Sequence, residues 1–334
     1  MKQNVQNLIR ANPCSSLTVL KGVVKVGQGE YGSVYKGCLN GECKRIVAIK
    51  SSSNSLNAEH NITNRMKNKG AVNVYGLEKC DTKNFMYSEY LDGMTFEKWI
   101  TREKPSPVSV KTAIKKLINI LKAIQKSEPT FRHNDLHLGN VFIVNGEPKI
   151  IDFGLSSING IPNPAINVNT ELKNGYGIYR SNHPMYDIHF FLNSLQFAIQ
   201  RYKLSKYSEL LVFINRVFPK GYVGSSTDYV QHFRLRANKA HGSLPTMSNL
   251  LKDTYFSNRP VAVNILKNIA SRPKTKVIIS KPKSPSPKSS TKSAKASAVR
   301  RAASILAAQQ KMKKTKPPLR RPALTRTVAK PLSK

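Results

Sequence analysis

The residue types of metal and phosphate chemistry gather in one stretch, His133-Asn134-Asp135-Leu136-His137-Leu138-Gly139-Asn140, followed by an apolar run and then by Asp152-Phe153-Gly154. Asp135 can face a hydroxyl while Asn140 and Asp152 hold Mg²⁺, since a hard cation takes oxygen ligands and keeps several of its waters. The strand-like runs Val141–Val144 and Ile150-Ile151 lie between these groups and would fix their spacing.

Such a site needs elements that bring phosphates to it. Gly27, Gly29 and Gly32 fall between short apolar runs, with strand-like sequence on both sides, which suggests a hairpin folding over an anion rather than a strand-to-helix turn. Because Gly27, Gly29 and Gly32 carry no side chains, backbone N–H groups along Gly27, Gln28, Gly29, Glu30, Tyr31, Gly32 and Ser33 can approach phosphate, and Val34 can cover an adenine. Ile46-Val47-Ala48-Ile49-Lys50 sets a lysine on the next strand, with Asn40-Gly41 as the tight turn before it. Lys50 can hold two phosphates if an acid orients it, and Glu59, nine residues on, opens the next helical segment. Strands are expected at 72–77 and 84–91, a weak helix at 57–69 and a short helix at 95–100. Ile114, Leu117, Ile118, Leu121 and Ile124 have the spacing of a buried helical stripe across 110–126. Further helices are expected at 187–200, 207–218 and 246–256.

In this order the motifs resemble those of protein kinases: a GxGxxGxV loop at 27–34, VAIK at 47–50, HxDLxxxN at 133–140 and DFG at 152–154. The resemblance covers about residues 20–258 and implies an α+β, bilobal fold with a small β-rich N-lobe and a larger helical C-lobe. It implies domains at 20–88 (N-lobe), 89–93 (hinge) and 94–270 (C-lobe), after an N-terminal extension, 1–19, and before a disordered basic tail, 271–334. It implies that ATP and Mg²⁺, or Mn²⁺, are the cofactors, and that Asp135 takes or orients the proton of a protein hydroxyl. Asn140 and Asp152 would ligate the metal, and Lys50, paired with Glu59, would grip the phosphates. Ser88, Glu89 and Leu91 fall at the hinge, Ala48 and Phe142 would sandwich the purine, and Asp187 resembles the acid that supports the catalytic loop from below.

The pattern departs from the family at three places. Asn134 stands where many relatives have an arginine that reads a phosphate on the activation segment, which implies constitutive activity. His137 stands where a lysine near the γ-phosphate is typical, and HxDLHxGN recurs in atypical protein kinases and in small-molecule kinases. No Ala-Pro-Glu lies between Gly154 and Asp187, where Asn182-His183-Pro184 takes roughly that place. The short N-lobe and the Asn- and Lys-rich composition resemble compact serine/threonine kinases of large DNA viruses. The alternatives are a small-molecule kinase on the same fold and a basic nucleic-acid-binding or packaging protein that uses the fold as a scaffold.

Charge is the outlier of the composition. Of a formal net charge of +37, residues 271–334 carry +19, with nineteen Lys and Arg and no Asp or Glu. Such an excess favours polyanions as partners, and the Lys-, Ser-, Pro- and Ala-rich tail, including a stretch at 294–312 that could become helical on a partner, is expected to supply the contact. Ser284, Ser286 and Ser304 are phosphorylation sites that would lower its charge. The four cysteines, Cys14, Cys38, Cys43 and Cys80, form no CxxC pair and read as free thiols of a reducing compartment. With Met1-Lys2-Gln3-Asn4 lacking a signal-peptide core and no bilayer-length apolar run, the chain is expected in the cytoplasm or nucleus of its cell, the host cell if viral, or in a virion assembled there.

Overall fold

The computed structural model describes residues 1–29, 32–39, 42–168, 183–219, 222 and 244–257. The chain divides into two units, Met1–Val263 and Asn264–Lys334. The second lies outside the described residues, as do the Asn40-Gly41 turn, the proposed helix at 294–312 and the tail as a whole.

Short apolar runs, broken by glycines in the first two, build a five-stranded antiparallel sheet in the N-lobe: β1 (Lys21–Gly29), β2 (Gly32–Cys38), β3 (Ile46–Ser52), β4 (Val74–Lys79) and β5 (Asn84–Glu89), in the order β1-β2-β3-β5-β4. The strand period of two sorts β3 and β5 into faces. Val47, Ile49, Phe85 and Tyr87 bury themselves on one face, while Ala48, Lys50 and Ser88 are half-buried on the other. Register joins Lys50 to Val34 on β2 and to Met86 on β5.

Helix α1 (Lys2–Ala11), a part of the extension that the sequence did not mark as helical, lays Val5, Leu8 and Ile9 against the buried face of that sheet. A short α2 (Ser16–Val19) follows. Between them the chain is clamped. Cys14 N–H and Ser16 Oγ–H both donate to the buried Glu78 carboxylate on β4, which also accepts from Tyr87 OH at 3.2 Å. The expectation of free thiols is overturned here. Cys14 is bonded to Cys80 and Cys38 to Cys43, with Cα atoms 5.6 and 4.8 Å apart. Glu78 draws Cys14 to the end of β4, and the second pair closes the connection between β2 and β3.

Helix α3 (Asn57–Arg65) packs on β4. After β6 (Met94–Thr95), helix α4 (Phe96–Lys98) runs into a wider π turn, Trp99–Glu103. Helix α5 (Pro107–Ser127) starts where Ser106 accepts from Ser109 N–H and Pro107 holds the first turn, and its predicted stripe from Ile114 to Ile124 is fully buried. The C-lobe hairpin β7 (Val141–Val144) and β8 (Glu147–Ile150) pairs with β6. Helix α6 (Pro164–Val168) follows, then α7 (Tyr186–Arg201), α8 (Ser208–Val217) and α9 (Met247–Lys252), with a 3-10 turn at Thr254–Phe256 ending the last expected helix early. Residues of α5, α7 and α8 share one hydrophobic core with Phe131, Phe153 and Val141. Among the described residues no helix is long and apolar enough to cross a membrane.

Candidate functional site

The strand register of β3 turns Lys50 away from the buried face, and α3 presents Glu59 to it. Lys50 Nζ donates to both Glu59 oxygens and to Asp152 Oδ1, each at 2.8 Å. Burial opposes the Lys50 charge, yet the two carboxylates outweigh it and hold the ammonium above its ordinary pKa. Burial also works against Asp152, where Lys50 prevails and keeps the carboxyl below its usual range. Glu59 is the deepest of the three, 5% exposed, and desolvation pushes its carboxyl up to about 7 against the pull of Lys50. Glu59, the residue whose spacing from Lys50 was shortest, thus lies in the cluster.

The glycine hairpin approaches from above. Gly29 pairs with Gly32 across its tip, Glu30 and Tyr31 lie outside the described residues, and Ser33 Oγ donates to Gln28 Oε1 at 2.8 Å. Gly32 has φ +156°, and a Cβ there would meet Ser51 O at 2.1 Å, so no other residue lets β2 pass so close to β3. Val34 and Gly27 are half-buried partners in the β1–β2 ladder.

Below, the loop at 133–140 is shaped by its own side chains. His133 accepts Asp135 N–H at Nδ1 (3.3 Å) and donates from Nε2 to Ile151 O (2.9 Å), which ties the loop to the residue before Asp152. Ile151 N–H donates in turn to Asn140 O at 3.0 Å, so Asn140 and Asp152 are held side by side. Asn140 Nδ2 donates to Asp135 O and Oδ2 at 2.9 and 3.2 Å, which turns the amide oxygen of Asn140 away from Asp135. Asp135 is half-buried, and His137 Nε2 stands 3.7 Å from its Oδ2. The His137 ring is fixed by Gly139 N–H donating to Nδ1 at 2.9 Å. Asp187, fully buried at the start of α7, accepts His133 N–H and Asn134 N–H at 2.9 Å each. Asn134 and Asp152 both take left-handed backbone, φ 65° and 60°, a region that Asn and Asp tolerate better than other side chains. Phe153 is buried, its ring 5.1 Å from that of His133.

At the hinge, Glu89 N–H donates to Asn73 O at 2.8 Å, so what Glu89 can offer a purine is its carbonyl, while Leu91 is buried and Ser88 half-buried. Ala48 lies on β3 and Phe142 on β7, both half-buried. Sequence reasoning missed three residues that hold the surroundings. Arg132 donates from Nε to His183 O (3.2 Å), Gln125 Nε2 to Pro184 O (2.7 Å), and Asn163 Nδ2 to Gly154 O and Ser156 O (2.9 Å each). Arg132 and Gln125 reach carbonyls more than fifty residues on and Asn163 closes a local turn, and since every residue has a carbonyl no spacing signals these partners.

The donor set fits a hard divalent cation: the Asn140 amide oxygen and the Asp152 carboxylate are neighbours, and both are oxygens. With an ammonium on one side and the glycine backbone above, the arrangement can neutralise and orient a polyphosphate beside the Asp135 carboxylate.

The β-rich sheet and the helical region that bring these groups together have counterparts among known proteins. Residues 20–171 match the family model described as protein kinase domain. A protein kinase domain is thus matched over residues 20–171, somewhat under half of the chain. It is similar to serine/threonine-protein kinase tousled-like 2 of Mus musculus, 29% identical over 153 residues, which is 40% of this chain and 21% of that protein. A protein named as a serine/threonine-protein kinase from Dictyostelium discoideum is 32% identical over 151 residues, 39% of this chain and 11% of the relative. Another so named, from Acanthamoeba polyphaga mimivirus, is 27% identical over 188 residues, 46% of this chain and 38% of the relative. The matched stretch thus spans only about a fifth of the tousled-like relative.

Proposed function

We propose that the chain is an ATP- and Mg²⁺-dependent serine/threonine-protein kinase, active without a switching phosphorylation, that transfers the γ-phosphate to protein hydroxyls. The observation that carries this reading is the bonding of one ammonium, Lys50 Nζ, to both Glu59 and Asp152 beside the Asp135–Asn140 loop. Lys50 grips the α- and β-phosphates and Glu59 aims it. The Asn140 and Asp152 oxygens would hold the cation, which would supply charge neutralisation. Asp135 takes or orients the hydroxyl proton, and His137, fixed 3.7 Å from that carboxylate, flanks the same spot. Asp187 keeps the loop in shape by capping two of its N–H groups. Ala48, Val34 and Phe142 hold the adenine, with Ser88, Glu89 and Leu91 along its edge.

The basic stretch 271–334 is proposed to bind a polyanion such as nucleic acid, on charge alone. Carriage in an assembled particle suits the two disulfides better than residence in a reducing cytosol.

The test is a labelled-ATP transfer assay with Mg²⁺ against basic proteins, casein and small alcohols such as choline and aminoglycosides, with Asp135→Ala as control. The reading expects label on protein Ser or Thr, abolished by chelation and by the substitution. Label on small molecules alone would replace it with the small-molecule alternative.

A further inference from the structure

Charge does the work around Lys50, but the segment that leaves Asp152 is attached to the catalytic loop in another way. Asn134 is fully buried, and its Nδ2 donates to Leu155 O at 2.8 Å and to Ser157 Oγ at 3.0 Å. Ser156 Oγ donates to His133 O at 3.2 Å, and Arg132 and Ser157 exchange backbone bonds of 2.9 and 2.8 Å. Asn163 closes the turn over Gly154 and Ser156. At the far end, Arg132 Nε and Gln125 Nε2 hold the carbonyls of His183 and Pro184. The guanidinium of Arg132, buried beneath the loop, also donates to the carbonyls of Pro129 and Phe131. Every one of these acceptors is a neutral oxygen.

We infer that Asn134 is a positioning residue that couples Asp135 to the segment after Asp152 through uncharged hydrogen bonds, so that the working geometry needs no phosphate on residues 155–184. The inference deepens the kinase reading and rests on it. A phosphate orders a segment by supplying charge to a cationic partner. Here the near end is already bonded by the buried Asn134 amide and the Ser156 hydroxyl, and the far end by the half-buried Gln125 amide and by Arg132, whose charge is offset by Asp187. Buried neutral bonds of this kind fix geometry because breaking one leaves a donor and an acceptor unsatisfied.

The full chain supplies the test. Asn134→Gly removes the amide yet accepts the left-handed backbone, and Asn134→Asp keeps shape and backbone but cannot donate. Both are expected to lower kcat at least about tenfold with the KM for ATP and the affinity for MgADP within about twofold of the parent, and to speed amide hydrogen exchange at 154–163. The combined variant Thr170→Ala, Tyr176→Phe, Tyr179→Phe, Ser181→Ala removes the hydroxyls between 158 and 184 and is expected to keep kcat within about twofold. Parental kcat in Asn134→Gly, or loss of more than about tenfold in the combined variant, overturns the inference. Should the parent transfer no phosphate at all, the kinase reading falls, and exchange still decides the anchor: faster exchange in Asn134→Gly supports it, unchanged exchange overturns it.

Discussion

Two regions meet at Asp152 and are built on opposite principles. On the N-lobe side, Lys50, Glu59 and Asp152 form an ionic cluster whose members reach one another at 2.8 Å. On the C-lobe side, Asn134, Ser156, Ser157 and Asn163 are buried and hold the chain through neutral hydrogen bonds. On the proposed reading, charges sit where phosphates and a cation would enter and exchange partners: Lys50 can move from a carboxylate to a phosphate without unmaking the fold. Neutral bonds sit where nothing should move. Asp187 is the instructive exception, a carboxylate buried at 0% exposure, and both of its oxygens are capped by backbone N–H. It is an acidic side chain, yet it belongs to the scaffold.

The comparison breaks most readily through single carboxylates. Asp135→Ala is expected to lower transfer by about 10²–10⁴-fold, the range for a positioned acid or base, and Asp152→Ala by at least as much, since it removes a metal oxygen and a Lys50 partner. Neither should lower the melting temperature by more than a few degrees, because Asp152 is half exposed and Asp135 half-buried. Asp187→Ala should behave in reverse. It strands two buried N–H groups, each worth about 1–3 kcal/mol, so urea denaturation should show a fall of about 2–6 kcal/mol with activity lost alongside. An unchanged urea midpoint in Asp187→Ala would erase the distinction between scaffold and site.

The ionic half was the more legible of the two in the sequence. Glycines at 27, 29 and 32, a lysine closing an apolar strand, and Asp135, Asn140 and Asp152 have fixed local spacings, because short elements set their geometry. Periodicity likewise marked α5, where Ile114 to Ile124 is one buried stripe. What could not be read was contact between distant stretches. Val5 of α1 packs in one cluster with Val47, Ile49, Phe85 and Tyr87, all more than forty positions away. Cys14 meets Cys80 across 66 residues, and without a CxxC pair the thiols gave no sign of it. Arg132, Gln125 and Asn163 bond to backbone carbonyls, which every residue has, so side-chain identity could not name the partner. Asn134 was visible only as a departure; its amide bonds explain why an asparagine stands there.

The outer face of the N-lobe offers the next test, since covalent bonds there replace both ionic and neutral devices. A chain-entropy estimate for a loop as long as that closed by Cys14–Cys80 is about 4 kcal/mol, against about 2 kcal/mol for the short Cys38–Cys43 loop. Reduction by dithiothreitol, or Cys14→Ser with Cys80→Ser, should therefore lower stability more than Cys38→Ser with Cys43→Ser. Equal losses would mean that α1 is held by Val5, Leu8, Ile9 and the Glu78 bonds without the disulfide.

The smallest expected effect is the sharpest probe of the ionic half. Burial raises the Glu59 carboxyl to about 7, above its ordinary value of 4.5. The folded chain therefore binds this proton more tightly than the unfolded chain, and the contribution of Glu59 to stability falls as pH rises between those values. Nucleotide binding should run the other way. As pH rises through about 7, Glu59 ionises and its charge orients Lys50. Asp152, held below its usual range, is ionised throughout and is left to the cation. MgADP affinity measured by calorimetry should thus improve several-fold from about pH 6 to about pH 8. The titration of the nucleotide itself is common to Glu59→Gln, so the parental slope minus that of the variant isolates Glu59. Identical slopes would mean that Glu59 is already ionised at the acid end, and that Lys50 offsets the desolvation in full. In that event the ionic cluster would be as fixed with pH as the neutral network beneath it.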